Sequence, residues 1–296
     1  MAAMSMHEKR LKRQLFIILL PSILLLLAFV IYPALYSVYL SFTNEALTGP
    51  GAMNPRFVGF RNYVRLFNDA KFWNSLLVTF LFVLGSAIIG QFVLGLVSAI
   101  ALRRPVQFHK TFSSMILLPN AAPEVVAGFM WISMLAGGER STLSRIVMFL
   151  GIEPSDWLNT FPLAMIIIVN TWRGIATAMI LLTAGLSTIP NEIYEAARMD
   201  GATPSQMFRR ITLPLMMPTI MLYMLISAVS TIAVFGLVYA LTRGGPGGAT
   251  ELVSIYIYNQ SFTAFQLGYG AAVAVVVLLI SVVIGVAYVK SVKVEV

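Results

Sequence analysis

Long apolar runs alternate with short polar ones along the whole 296-residue chain. Six runs, about 15–42, 76–102, 112–135, 162–186, 215–241 and 267–289, reach the roughly 20 residues that one helical crossing of a bilayer needs. The pattern predicts an all-α membrane protein with six transmembrane helices. Lys9, Arg10, Lys12 and Arg13 precede the first run as they would a signal peptide. About 28 apolar residues are too many for the core of such a peptide, however, and no small-residue cleavage site follows, so the run is expected to stay as the first span. Pro21, Pro33, Pro119 and Pro123 interrupt the runs. A proline in a membrane helix frees a carbonyl that a neighbour must satisfy. Pro119 and Pro123 stand out because Asn120 and Glu124 lie with them, four residues apart and so on one face of a continuous helix.

Composition agrees: 58% of residues are hydrophobic and 11% charged, where soluble domains carry about 25% charged residues. With no cysteine, disulfides, thiolate metal sites and thiol catalysis are excluded. His7 and His109 lie far apart, which disfavours a histidine metal cage. The net charge of +8 does not point to nucleic acid, because no basic patch with interleaved aromatics occurs. In a membrane protein Lys and Arg mark the cytoplasmic face. With the N-terminus inside, the inner segments hold twelve of the 20 Lys and Arg, among them Arg103, Arg104, Lys110, Arg209 and Lys293. The outer segments hold seven, among them Arg61, Arg140 and Arg243, and Arg173 lies within a span. Both termini are therefore expected in the cytoplasm. The chain divides into 1–71 (tail, first span and outer loop), 72–291 (five further spans with a cytoplasmic loop at about 187–214) and a tail, 292–296. No internal repeat or flexible linker is evident.

The loop between the fourth and fifth runs is the most structured polar stretch. After Ile189-Pro190 come residues suited to two or three helical turns, with proline fitting the first turn, where its missing N–H is not needed. Gly201 supplies a helix stop, and Thr203-Pro204-Ser205-Gln206 reads as the capped start of a second helix. Ala196 and Ala197 give the first helix a small-residue face, ringed by Glu195, Arg198 and Asp200. Composition alone would suit an amphipathic connector on the membrane surface. The combination Glu195-Ala196-Ala197, Asp200-Gly201-Ala202, Phe208, Ile211, Leu213-Pro214 and Pro218 resembles the EAA loop of permease subunits of bacterial ATP-binding-cassette importers. Phe57-Val58-Gly59-Phe60-Arg61-Asn62-Tyr63 is similar to an external segment of carbohydrate-importer permeases. Leu241-Thr242-Arg243-Gly244-Gly245-Pro246, with Thr250, Tyr256-Ile257-Tyr258 and Phe262, resembles the subunit type typified by the larger membrane component of the maltose permease.

The resemblance implies the type I importer permease fold in a bacterial inner membrane. Its implied partners are a second homologous permease, two ATPase subunits, an extracytoplasmic solute-binding protein and membrane lipid. It further implies that Glu195, Ala196, Ala197, Arg198, Asp200, Gly201, Leu213 and Pro214 couple to the ATPase. No catalysis and no cofactor are expected in this chain, which lacks a Gly-x-x-x-x-Gly-Lys-Ser/Thr phosphate loop; ATP and Mg are expected on the ATPase.

Ionisable residues inside spans cost about 2.5–3.5 kcal/mol at the bilayer centre on insertion scales, and the clear cases are Glu124 and Arg173. Asn170, Arg173 and Gly174 share a face of the fourth run with Trp172 beside them, and Ser230 and Thr231 are polar positions in the fifth. Two readings stay open from the residues alone. One is a solute pathway; the other is mutual neutralisation of Glu124 and Arg173, an interfacial Trp172 and hydroxyls bonded to their own helix. The resemblance implies the pathway, placing sugar contacts at Asn120, Glu124, Asn170, Trp172, Arg173, Gly174, Thr231 and Val234. Trp172 suits a sugar's C–H face, and Arg173 offers a forked donor that also suits a carboxylate or phosphate, so glycerol phosphate or an acidic saccharide is an alternative solute. An ion-gradient transporter would be expected to show inverted repeats around a midplane site, and a membrane enzyme clustered acids, histidines or a nucleophile–base pair; neither pattern is evident.

Overall fold

A computed structural model of the chain describes residues 6–103, 109–136, 141–151, 153 and 155–291. Arg104, Arg140 and Lys293, counted for orientation, and the tail 292–296 lie outside the described residues. The described residues form helices and their connections, with one isolated β-bridge between Thr43 and Phe57.

Among the described residues, five continuous helices are long and apolar enough to cross a membrane: Gln14–Ser41, Ala70–Ala101, Pro162–Ser187, Pro204–Ile232 and Leu267–Lys290. The second starts earlier than its apolar run because Asp69 caps it, accepting from the Lys71 amide at 2.9 Å. The expected third span is not one straight helix. Lys110–Ala121 and Glu124–Leu135 meet at 105°. Pro123, with an extended backbone (φ −56°, ψ 144°), precedes the second limb, and a proline disfavours the helical region for the residue before it. Asn120 and Glu124 therefore lie on different limbs, and the expectation that they share one helix face is corrected. The fifth run also breaks. Its long helix stops at Ile232, and Gly236–Thr242 begins anew after a non-helical Phe235 (φ −128°, ψ −59°). The carbonyl of Val234, freed at this break, accepts from the Ser254 hydroxyl at 2.6 Å, as a membrane environment requires.

The chain forms two compact units. The first comprises Met1–Asn68 and Ile257–Leu278. Its leading span is exposed along its length, with none of its most apolar stretch buried, as suits a helix apolar on all sides in a bilayer. Only the end of that span is pinned. Asn62 donates to the carbonyls of Ser41 (2.9 Å) and Thr43 (2.8 Å), and the Tyr63 and Ser41 hydroxyls lie 2.7 Å apart. Phe42 packs on Phe57, Phe60 and Tyr63. This is the physical content of the Phe57–Tyr63 motif: it caps a helix end whose last carbonyls would otherwise be unpaired.

The second unit comprises Asp69–Tyr256 and Leu279–Val296. Its apolar residues form two clusters. One, at the end away from the polar loop, gathers Phe82, Ile166, Val169, Leu237, Leu252 and Ile255. The other, near the loop, gathers Leu96, Leu182, Leu186, Tyr194, Met216 and Tyr223. A buried polar girdle also ties the second, fourth and fifth spans together. Asn170 donates to the Ser86 hydroxyl (2.8 Å), the Gln91 side-chain amide donates to the Asn170 backbone carbonyl (3.0 Å), and Ser227 donates to Gln91 Oε1 (3.1 Å). Gly85, Gly90 and Gly95 let the second span approach Ile167, Thr171 and Ala178 of the fourth.

Candidate functional site

The polar loop folds as its sequence predicts, with one shift: Pro190 stands before the helix Asn191–Met199, at the cap position rather than in the first turn. The helix ends in a left-handed Gly201 (φ +78°). The Gly201 amide donates to the Arg198 carbonyl at 3.0 Å and the Ala202 amide to Ala197 at 2.9 Å. This is the paired closure of a Schellman turn, which glycine adopts without the steric cost a side chain adds. Thr203 then caps the next helix, with both bonds to Gln206 present. Thr203→Ala is expected to cost about 1 kcal/mol locally, read as roughly five-fold faster amide exchange over residues 203–207.

The loop helix has two faces. Tyr194 turns inward, buried, its hydroxyl 3.0 Å from that of Thr212. Ile193, Glu195, Ala196, Arg198 and Met199 are exposed, Met199 to 89%. Ala197 is half-buried, while Asp200 and Gly201 are exposed at the corner. Leu213, half-buried, and Pro214, exposed, begin the helix Leu213–Ile232. An apolar and charged ledge on a helix clamped at both ends is a surface suited to docking, since its backbone is already ordered. Composition did not single out Met199 or Tyr194; only the fold shows that they occupy opposite sides of the helix.

The membrane-embedded candidates divide into two groups. Arg173 and Glu124 do meet, Arg173 Nη1 to Glu124 Oε1 at 3.3 Å, and this is the ion pair found among the described residues. Both are part-exposed, and Arg173 Nε is buried without an acceptor. Glu124 opens the second limb of the broken segment and lies against Gly236, where the fifth span resumes. Two helix breaks thus converge on one carboxylate, which is the usual setting of a membrane solute site. Trp172 packs edge-on against Trp131, with ring centroids 5.5 Å apart, beside the cluster that holds Val234.

Asn170, Gly174 and Thr231 belong to the packing between spans. Asn170 and Thr231 are buried, Asn170 bonded to Ser86, and a side chain at Gly174 would meet the Gln91 amide. Asn120 is exposed on the other limb. Gln91, which ties three spans, was not singled out in the sequence; its signal was a bulky amide in the middle of an apolar run. At the far end, the Gly-Gly-Pro loop is closed by Thr242 and Thr250, whose hydroxyls lie 2.7 Å apart, with Thr250 donating to the Gly245 carbonyl at 2.6 Å.

Residues 91–292 match the profile of a family described as binding-protein-dependent transport system inner membrane component. The chain is similar to a trehalose/maltose transport system permease protein of Thermococcus litoralis, 30% identical over 93% of this chain and 92% of that protein. It is also similar to a sulfoquinovosyl glycerol transport system permease protein of Agrobacterium fabrum, 32% identical over 94% of this chain and 89% of that one. In fold it resembles a chain of a bacterial alginate ABC transporter solved with an alginate pentasaccharide-bound periplasmic protein. That match has a TM-score of 0.78 and 22% identity, and covers 95% of this chain and 94% of that one.

Proposed function

Because the chain belongs to the binding-protein-dependent transport system inner membrane components, we propose that it is the permease subunit of an ATP-driven importer for a sugar or oligosaccharide. Under this reading it pairs with a second homologous permease, receives solute from an extracytoplasmic binding protein, and docks one of two ATPase subunits on the 187–214 loop. Both termini are cytoplasmic. The chain itself performs no chemistry; ATP and Mg are held by the ATPase. The observation that carries the reading is the loop helix Asn191–Met199, anchored inward through Tyr194 and presenting Ile193, Glu195 and Met199 outward. Alternating access follows from ATP-dependent closure biasing the spans between two states, a coupling between distant sites.

Co-expression with a candidate ATPase and second permease, followed by co-purification and uptake into proteoliposomes, tests this. ATP-dependent uptake that needs all subunits is expected. Uptake by the chain alone, driven by an ion gradient, would overturn the proposal.

Under the same reading the solute pathway runs past Glu124, Trp172 and Arg173. The pairing of Arg173 with Glu124 cancels two embedded charges and favours a neutral saccharide over an acidic one. Arg173→Ala is expected to lower uptake about ten-fold or more while the ATPase still co-purifies, since it takes away the forked donor and leaves Glu124 without its counter-charge beside the pathway. The double variant Glu124→Gln with Arg173→Gln, which strands no charge, should recover protein stability but not uptake. Wild-type uptake by Arg173→Ala would remove these residues from the pathway.

A further inference from the structure

The last helical segment of the second span, Phe92–Ala101, runs toward the polar loop, and two residues past its end Arg103 reaches the loop helix. Its guanidinium carbon lies 4.4 Å from the centre of the Tyr194 ring, and its Nη2 donates to Asn191 Oδ1 at 3.2 Å. Tyr194 is buried, and its hydroxyl meets Thr212, the residue before the helix Leu213–Ile232. One phenol ring therefore joins the second span, the loop helix and the fifth span. The junction borders a cavity of about 370 Å³. A guanidinium is suited to this junction. It stacks flat on an aromatic face and still directs N–H groups in its own plane. Two contacts on residues three apart, Asn191 and Tyr194, fix the rotation of the loop helix as well as its position.

We propose that Arg103 is a positioning residue that locks the Asn191–Met199 helix to the second span, so that displacement of the helix by its docked partner moves the second and fifth spans as one. This rests on the reading of the loop as the ATPase-docking element. The lock is made of side chains from distant parts of the chain, and none of the loop's outward-facing groups that would meet a partner, Ile193, Glu195 or Met199, takes part in it.

The chain has no cysteine, so Ile100→Cys and Glu192→Cys, both at exposed positions, accept spin labels without background from this chain once the partner subunits are made cysteine-free. In the assembled importer, the distance between the labels is measured without nucleotide and with ATP held by a hydrolysis-deficient ATPase. The expected result is the same distance in both states. In Arg103→Ala it should differ by more than about 2 Å, the scale of helix shifts at such junctions. Solute taken up per ATP hydrolysed should fall about ten-fold in Arg103→Ala, within the range that single positions reach in coupled networks, with the ATPase still bound; Arg103→Lys should restore part of it. Adding Asn191→Ala to Arg103→Ala should cost little more than Arg103→Ala alone. Multiplicative losses would mean that Arg103 acts elsewhere, such as on the ATPase surface, and would overturn the proposal. So would an Arg103→Ala chain whose labels and coupling match the parent. Failure of the parent chain to bind the ATPase at all would instead overturn the docking reading on which the lock depends.

Discussion

Glu195→Lys abolishes ATP-driven uptake while leaving the chain folded and inserted in the membrane. That is the expected outcome, and it follows from where the carboxylate sits. Glu195 is exposed in the middle of the Asn191–Met199 helix, and the ion pair among the described residues involves Glu124 and Arg173 rather than Glu195. Replacing it disturbs the chain's own stability by less than about 0.5 kcal/mol, as for other exposed substitutions. If the docked partner meets this carboxylate with a complementary basic group, as the docking reading expects, setting like charges against one another there costs several kcal/mol, and each 1.4 kcal/mol is about ten-fold in affinity. Uptake should therefore fall about 100-fold or more. Membrane abundance and thermal stability of the detergent-solubilised chain serve as controls. A variant that holds its ATPase and accumulates solute normally would show that the helix is not the docking element.

A second large effect, this one on stability, is expected at Gly95. A Cβ there would run into Ala178, both its methyl and the peptide that follows. The nearest obstruction is the Ala178 methyl, which is fixed to its backbone, with backbone atoms close behind, so no rotamer change relieves it; the second and fourth spans must separate. Gly95→Val should cost about 3 kcal/mol or more, at or beyond the usual range for overpacking, and lower the melting midpoint of the purified chain well below the parent's. Gly285→Ala is the matched control. A Cβ there meets nothing within 4 Å, so the helix-propensity gain of up to about 1 kcal/mol should show instead. Equal melting of the two variants would mean that the close crossing of the second and fourth spans does not carry the fold.

Much of this architecture was legible from local sequence. The apolar runs gave the spans because a bilayer leaves backbone groups no partner outside a helix. The loop's turns were legible because Gly201 and the Thr203–Gln206 cap are built from neighbours in sequence. What was missed depended on distance or on packing. Pro119 and Pro123 announced a disturbance, but proline permits anything from a mild kink to the 105° bend observed. The break before Gly236 carries no proline at all, and its freed carbonyl is satisfied by Ser254, 20 residues away. Gln91 joins Asn170 across 79 residues, and Arg103 joins Asn191 across 88; no periodicity in one segment encodes its partner in another. The membrane-embedded pair was half legible. Arg173 and Glu124 were singled out as costly charges and do meet, whereas Asn170, taken as part of the same face, is turned into the contact with Ser86.

The first span repeats a lesson in asymmetry. Asn62 and Tyr63 key its Ser41 end, while residues 14–36 touch little of their own chain. A rod fastened at a single tip keeps its tilt undetermined: nothing intrinsic chooses how far its free length leans. That choice passes to whatever surrounds it, so the neighbour that finally grips the rod also decides its lean, and the polypeptide leaves that part of its own assembly to others.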